Sequence, residues 1–282
     1  IDSGLINKTY IVDHLYNGVK SKFILQNLSN IFESHEIVNM NHKLITDHIK
    51  NKNKIFFDSD NNNWKVPNLI KCQSNNLFSF PFESGFWRAM VYIDKAFTVD
   101  YLDDEMMAYQ TGIGLSKFHL LCSDFDFFKL EDSIKNFHNT RHYIDRYIIT
   151  IKDYNFAKLD NEVNKRIQYL IKCLSNHLKS VDFLLTSLRK EKIDKNVIHG
   201  DPKLSNFLFD IKYKNVVSLI DLDTVTYGYL LTDLADCIRS ICNPLGEDPI
   251  NKEKVFFDIN SFMYFLQGYF SIPNSKKISF FS

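Results

Sequence analysis

Near the start of the chain Thr9, Tyr10, Ile11 and Val12 form a β-branched and aromatic run, residues 19–26 form a second, and Asn17-Gly18 stands between them. Asn-Gly between two such runs is a strong signal for a two-residue hairpin turn, because both central positions need a positive φ. Two antiparallel strands, 8–12 and 19–26, are therefore expected. From 33 to 50 the apolar residues Ile37, Val38, Leu44, Ile45 and Ile49 recur at roughly helical intervals, with Ser34 placed to cap the start. One helix follows the hairpin. Residues 77–80 and 87–93 predict a second strand pair around Glu83-Ser84-Gly85, and the alternation fades at Asp94-Lys95.

From Tyr101 the periodicity turns helical, with apolar residues three and four apart over 103–122, 140–150 and 160–189. A strand-loop-strand unit follows, at 196–198, 207–209 and 216–220, each piece flanked by polar loop residues. The pattern is that of an α+β protein in two lobes. A small antiparallel β lobe with one helix is expected over residues 1–94, and a larger, mostly α lobe over 95–282. The stretch Asp58 to Asn63 looks like half of a calcium loop, but its sixth position is Asn63 rather than glycine and the twelfth is Leu69 rather than glutamate, so it reads as a solvated loop.

Composition narrows the function classes. A chain of 282 residues with 45% apolar content can bury a substantial core. Its 34 lysines and arginines balance 34 aspartates and glutamates, so no net field draws it to nucleic acid or to an anionic membrane. Cys72, Cys122, Cys173, Cys237 and Cys242 are odd in number, scattered and never C-x-x-C, which argues for reduced thiols rather than disulfides or structural zinc. No apolar run approaches the roughly 20 residues of a membrane span, and no basic-then-apolar segment opens the chain, so a cytoplasmic protein is expected. The chain begins at Ile1 without methionine, in what the motifs below make a functional loop, and residues upstream of it are expected. Lysine, asparagine and isoleucine are abundant throughout, so single surface lysines carry little weight.

The chemistry is concentrated in one segment. His199-Gly200-Asp201-Pro202-Lys203-Leu204-Ser205-Asn206 lies in a loop between strands, and Ile220-Asp221-Leu222-Asp223 ends the next strand. Phosphoryl transfer to a hydroxyl asks for a carboxylate to orient the hydroxyl and receive its proton, oxygen ligands for magnesium, and a cation over the γ-phosphate. All are present here, in order. Singly each motif is commonly a turn or a loop cap; together, in strand-and-loop context, they are specific.

H-G-D, an asparagine five positions after the aspartate, and I-D at a strand end resemble the signature of the aminoglycoside phosphotransferase and choline kinase-like family, relatives of protein kinases. The resemblance implies a protein-kinase-like fold and use of ATP and Mg2+. It makes Asp201 the catalytic base, puts Asn206 and Asp221 on magnesium, and directs Lys203 towards the γ-phosphate. Asp233, at the start of Asp233-Leu234-Ala235-Asp236, resembles the aspartate that braces the catalytic loop, and Asp223 belongs to the same constellation. On the nucleotide side the resemblance assigns Gly4 and Asn7, in a shortened phosphate loop, with Gln26, Tyr92 and Ile93. The kinase pattern puts a lysine or arginine where this chain has Gln26. Either Gln26 acts as a neutral donor or Lys203 supplies the cation.

The finer resemblance is to bacterial N-acetylhexosamine 1-kinases, through Gly4 to Tyr10, Phe23 to Leu28, Phe86-Trp87-Arg88, Phe137 to Thr140 and Ile220 to Thr224. It shares the Gln26 departure, extends to about residue 240, and fades in what look like shortened C-terminal helices. It implies a small-molecule acceptor, a sugar, phosphorylated at its anomeric hydroxyl. Choline, an aminoglycoside or homoserine keeps the chemistry and changes the acceptor; the tail from Ser275 to Phe281 has no acidic residue to favour a cation. A nucleotide-binding pseudokinase is the third reading, with Gln26 as its encouragement. His138 and His142, four apart on an expected helix, have no third ligand and read as surface or packing residues, and Trp87 reads as core.

Overall fold

The computed structural model describes residues 6–56, 64–83, 85–154, 160–190, 195–246 and 249–272. The chain forms two compact units, one of residues 1–135 and 195–278, the other of residues 136–194 and 279–282. The lobe boundary expected at residue 94 falls inside the first unit. The loop from Asp58 to Asn63 and the tail from Ser275 to Phe281 lie outside the described residues.

The first unit opens with the hairpin of β1 (Lys8–Tyr16) and β2 (Val19–Leu28), closed by Asn17 and Gly18 at φ 49° and 78° with Tyr16 opposite Val19. These are the two positive φ values that the Asn-Gly pair makes accessible. Strand β2 pairs next with β5 (Gly85–Val91), placing Gln26 opposite Arg88, and β5 also pairs with the short strands β3 (Leu69–Ile70) and β4 (Phe80–Phe82). Helix α1 (His35–Phe56) starts where Ser34 Oγ accepts the N–H groups of Glu36 and Ile37 at 3.1 and 3.3 Å. Val38, Ile45 and Ile49 form its buried stripe.

The strand expected at 77–80 is displaced to Phe80–Phe82. Leu77 gives its N–H to Asn75 Oδ1 at 2.9 Å and its carbonyl to Cys72 N–H at 2.8 Å. The asparagine side chain thus captures the backbone as a turn before the apolar run can pair. Trp87, expected in the core, is half-buried against Tyr10 with ring centroids 6.0 Å apart.

In the rest of this unit β6 (Ala96–Phe97), β8 (Phe207–Asp210) and β9 (Val216–Leu219) form a three-stranded antiparallel sheet in the order β6-β8-β9, while β7 (Asn196–Ile198) pairs with β10 (Thr226–Gly228). Helix α2 (Glu105–Cys122) is capped by Asp104, whose Oδ1 accepts Met107 N–H at 2.9 Å, and buries Met107, Ala108, Leu115, Phe118 and Leu121. Helices α5 (Leu230–Ile241) and α6 (Ile259–Ser271) complete the unit. Gly112 and Gly268 let α2 and α6 touch backbone to backbone: a Cβ at Gly112 would lie 2.1 Å from Phe265 O, and one at Gly268 1.9 Å from Tyr109 O.

The second unit is a pair of helices, α3 (Thr140–Asp153) and α4 (Asn161–Lys190), joined across their surface by Arg141 and Asp182 at 3.4 Å. His138 does not stand on α3 as expected. It precedes the cap residue Asn139 with φ 57°, because the Asn139 side chain takes His142 N–H at 3.1 Å and starts the helix there.

The architecture is α+β, an antiparallel sheet in the N-terminal region followed by a mainly helical C-terminal part. Among the described residues no helix is long and apolar enough to cross a membrane, and all five cysteines are free thiols.

Candidate active site

The loop after β7 is held by hydrogen bonds at almost every residue. Gly200 adopts φ 85°, and a Cβ there would meet Thr224 O at 2.5 Å, so glycine is required both for conformation and for space. Asp233, in the first turn of α5, accepts the N–H groups of His199 at 2.6 Å and Gly200 at 2.9 Å, and His119 Nε2 lies 3.0 Å from it. Burial pushes the Asp233 carboxyl up, but the His119 hydrogen bond, the two nearby histidines and the Gly200 N–H outweigh it, and it stays below its ordinary range. The His199 ring lies 2.9 Å from Ile220 O through Nε2 and accepts Asp201 N–H at Nδ1 over 3.3 Å. Burial lowers the affinity of this ring for a second proton, which fits a neutral imidazole protonated on Nε2.

Asp201 is half-buried, and Lys203 Nζ stands 3.2 Å from its Oδ2. Burial raises the Asp201 carboxyl against the pull of Lys203. Asn206 gives Nδ2 to the Asp201 carbonyl at 2.8 Å, and no described residue donates to its Oδ1. Asp221 sits in the left-handed region at φ 65° and ψ 55°, between β9 and the short turn 222–224. No described group donates to its carboxyl, and burial together with the charges of Asp223 and Asp201 raises its pKa to about 7. A left-handed aspartate without a donor among the described residues, within electrostatic reach of two other carboxylates, has the oxygen chemistry that attracts a hard divalent cation. Among the described residues no cluster of three His, Cys, Asp or Glu side chains forms a ready-made metal cage. Mg2+ suits such a site, since it commonly takes one or two carboxylates and completes its shell with phosphate and water.

Beside this centre lies a residue whose role the sequence did not disclose. Arg88 is 2% exposed. Its guanidinium donates to Gln26 Oε1 at 2.8 and 3.1 Å, to Asp223 Oδ1 at 2.5 Å and to Asn39 Oδ1 at 3.4 Å. Asp223 Oδ2 accepts Asn7 Nδ2 at 2.7 Å, and Gln26 Nε2 donates to Thr9 Oγ1 at 3.0 Å. A buried cation thus stands opposite Gln26 on the facing strand, in register, with Gln26 as its acceptor, and it is not among the residues that line the adjoining cavity. The available signal was Met90, two residues on: in a strand, Arg88 and Met90 share a face.

A cavity of about 370 Å³ opens onto these groups. One part is apolar, with Ile24, Met90, Ile93, Leu208 and Ile220; the other is polar, with Asn7, Thr9, Gln26, Lys203, Asn206 and Asp221. Tyr92 also lines it, from the segment after β5. Gly4 lies outside the described residues. Asp223 and Asp233 hold the framework around it and are not among its lining residues.

An N-terminal antiparallel sheet, a braced loop between β7 and β8, and an aspartate at the end of β9 define a protein of the protein-kinase-like fold. The chain belongs to the phosphotransferase enzyme family, whose model matches residues 97–255 and so takes in the loop from His199 and the turn at Asp221. Similar solved structures include a spectinomycin phosphotransferase in complex with ADP and spectinomycin, 15% identical, with a TM-score of 0.55 and covering 96% of this chain and 74% of that one. An ethanolamine kinase of Plasmodium vivax is 14% identical with a TM-score of 0.52, covering 97% of this chain and 70% of that one. A microcompartment-associated aminopropanol kinase is 13% identical with a TM-score of 0.51, covering 95% and 78%. At these identities the likeness is one of fold.

Proposed function

We propose that this protein is an ATP- and Mg2+-dependent small-molecule kinase whose acceptor is a sugar, specifically the anomeric hydroxyl of an N-acetylhexosamine. The observation that carries the kinase reading is the grouping of Lys203, Asn206 and Asp221 on the polar wall of one cavity, with Asp201 3.2 Å from Lys203. Residues 1–94 form the nucleotide lobe and residues 95–282 the acceptor lobe. The apolar part of the cavity, with Tyr92 and Ile93, takes the base; Asn7 and Gln26 lie along the phosphates, with Gly4 upstream.

Asp201 orients the acceptor hydroxyl. As the acceptor oxygen bonds to the γ-phosphorus and the bond from phosphorus to the β–γ bridging oxygen breaks, Asp201 takes the hydroxyl proton and ADP departs. Lys203 faces the phosphate charge. Asn206 Oδ1 and the Asp221 carboxylate are the groups that would hold Mg2+, which when bound neutralises charge on the phosphate oxygens. Arg88, through Asp223 and Gln26, fixes the turn of Asp221 and one wall of the cavity together. The anomeric hydroxyl is more acidic than an ordinary alcohol, so a carboxylate of modest basicity suffices. Support for the N-acetylhexosamine rests on the five motif strings in order, from Gly4 to Thr224.

The test is ADP release with ATP and Mg2+ over a panel of N-acetylhexosamines, choline, ethanolamine, homoserine and aminoglycosides. Turnover on a hexosamine with a sugar 1-phosphate as product is expected. Turnover on choline or ethanolamine and none on any hexosamine ends the sugar assignment, and nucleotide binding without turnover on any acceptor favours a pseudokinase.

A further inference from the structure

Three polar side chains stand in line beneath the catalytic loop and are not among the residues lining the cavity. Tyr269 on α6 and Asp233 on α5 are 0% exposed and His119 on α2 is 2% exposed. Tyr269 Oη lies 2.8 Å from His119 Nδ1, and His119 Nε2 lies 3.0 Å from Asp233 Oδ2. Removing a phenol, an imidazole and a carboxylate from water costs stability unless every polar atom is paired, and apolar side chains would fill the same volume without that cost. Here each is paired, and the line ends on the backbone of His199 and Gly200.

The direction of the hydrogen bonds follows from the end point. Asp233 already accepts two N–H groups, and a carboxylate can only accept, so His119 Nε2 carries the proton that faces it. Tyr269 Oη and His119 Nδ1 share the next hydrogen bond, so the linked bonds polarise one another. Without His119, Asp233 would keep the two amides and lose the lateral contact that fixes its rotamer. The glycine contacts at Gly112 and Gly268 leave α6 no slack against α2, so the height of Tyr269 over His119 is set by backbone packing. Helix α6 begins at Ile259, beyond residue 255 where the family match ends.

We propose that His119 and Tyr269 are positioning residues for phosphoryl transfer: Tyr269, His119 and Asp233 together fix the His199-Gly200 turn and, through it, the carboxylate of Asp201. They touch neither nucleotide nor acceptor, and α6 becomes part of the apparatus that aligns the base. The activity arm of the test rests on the kinase reading above; a second arm does not.

Tyr269→Phe removes one hydroxyl and keeps the ring. It should lower kcat about fivefold, in line with the loss of one buried hydrogen bond, while leaving KM for ATP and acceptor within about twofold. His119→Leu should lower kcat by about a hundredfold through misplacement of the base, and His119→Gln, which keeps a donor towards Asp233, should recover a large part of it. The second arm is amide hydrogen exchange of the full chain without substrate, in which Gly200 N–H should exchange about fivefold faster in Tyr269→Phe and amides in the middle of α1 should not change. A folded Tyr269→Phe protein with Gly200 exchange as in the parent overturns the proposal, and so does kcat within twofold of the parent. If Tyr269→Phe does not fold, His119→Leu, which removes the contact to Asp233, takes its place with the same two readouts. Should the parent turn over no acceptor, the acceptor assignment has failed and the exchange arm alone decides.

Discussion

A guanidinium only 2% exposed has to place its donors on protein acceptors, and Arg88 places them on Gln26, Asn39 and Asp223. Arg88→Met fills similar volume but leaves Asp223 as a buried charge without its main partner, which costs on the order of 3–5 kcal/mol. The expected result is a large fall in the thermal midpoint. Arg88→Lys keeps the charge but cannot reach three acceptors, so it should fall between the two; a midpoint in Arg88→Met equal to the parent would show that the network contributes nothing. His42 offers a pH test in the same neighbourhood. It is fully buried, its Nε2 lies 2.6 Å from Pro67 O, and burial with the adjacent Arg88 lowers its pKa from 6.5 to about 4. The unfolded chain therefore binds this proton first as the pH falls. Its contribution is fully present above about 6.5 and is lost as the pH drops towards 4, with an upper bound near 3 kcal/mol. His42→Gln should flatten the fall in melting temperature between those pH values, and an unchanged slope would remove His42 as its source. That Asn206 comes together with Asp201 and with Asp221 was legible in the sequence because their spacing is local. Arg88 was not, because its partners lie 62 and 135 residues away and an arginine in a strand reads as solvent-facing until the facing strand is known.

At the level of elements, what the sequence disclosed tracks the length of the pattern. The hairpin of β1 and β2, helix α1 and helices α2 to α4 emerged where expected, since each carries several periods of alternation or a marked turn or cap, although β1 runs on to Tyr16 and α1 to Phe56, past their expected ends at 12 and 50. The strands β3, β6 and β10 have two or three residues each and show no period at all. Helix α6 escaped for a different reason. Its sequence, INSFMYFLQGYFS, is apolar on most faces and carries a glycine that reads as a breaker. The structure gives that glycine its reason, since Gly268 and Gly112 sit where backbone meets backbone. A backbone oxygen cannot rotate aside, so Gly112→Ala or Gly268→Ala should force the helices apart and destabilise by about 3 kcal/mol, the upper end for overpacking. Denaturant unfolding should show a lower midpoint with an unchanged slope. Either alanine variant with the parent midpoint would mean that α6 is not packed as described.

For the molecule as a whole, the class of protein was readable from the order of motifs, whereas the acceptor is not written in any single spacing, because hydroxyl-reading groups come from positions scattered along the chain. Binding and chemistry are separable in the proposed site. A nucleotide that binds only the folded state stabilises by about 2.7 kcal/mol at a hundred times its dissociation constant. In a chain of this size that raises the melting temperature by about 5 °C. ATP with Mg2+ should produce such a shift in the parent. Asp201→Asn should keep the shift and lose ADP release, because Asp201 works on the acceptor proton and is not among the cavity-lining residues. Asp221→Asn should keep the shift that ATP gives in EDTA and lose the increment that Mg2+ adds, since asparagine tolerates the left-handed φ of 65° but brings no charge. The same substitution should also stabilise the ligand-free protein at pH 8, where the raised pKa of about 7 leaves Asp221 charged against Asp223 and Asp201. An Asp221→Asn protein with the full Mg2+ increment would remove Asp221 from the metal. An Asp201→Asn protein with normal ADP release would remove Asp201 from the chemistry, whatever the acceptor proves to be.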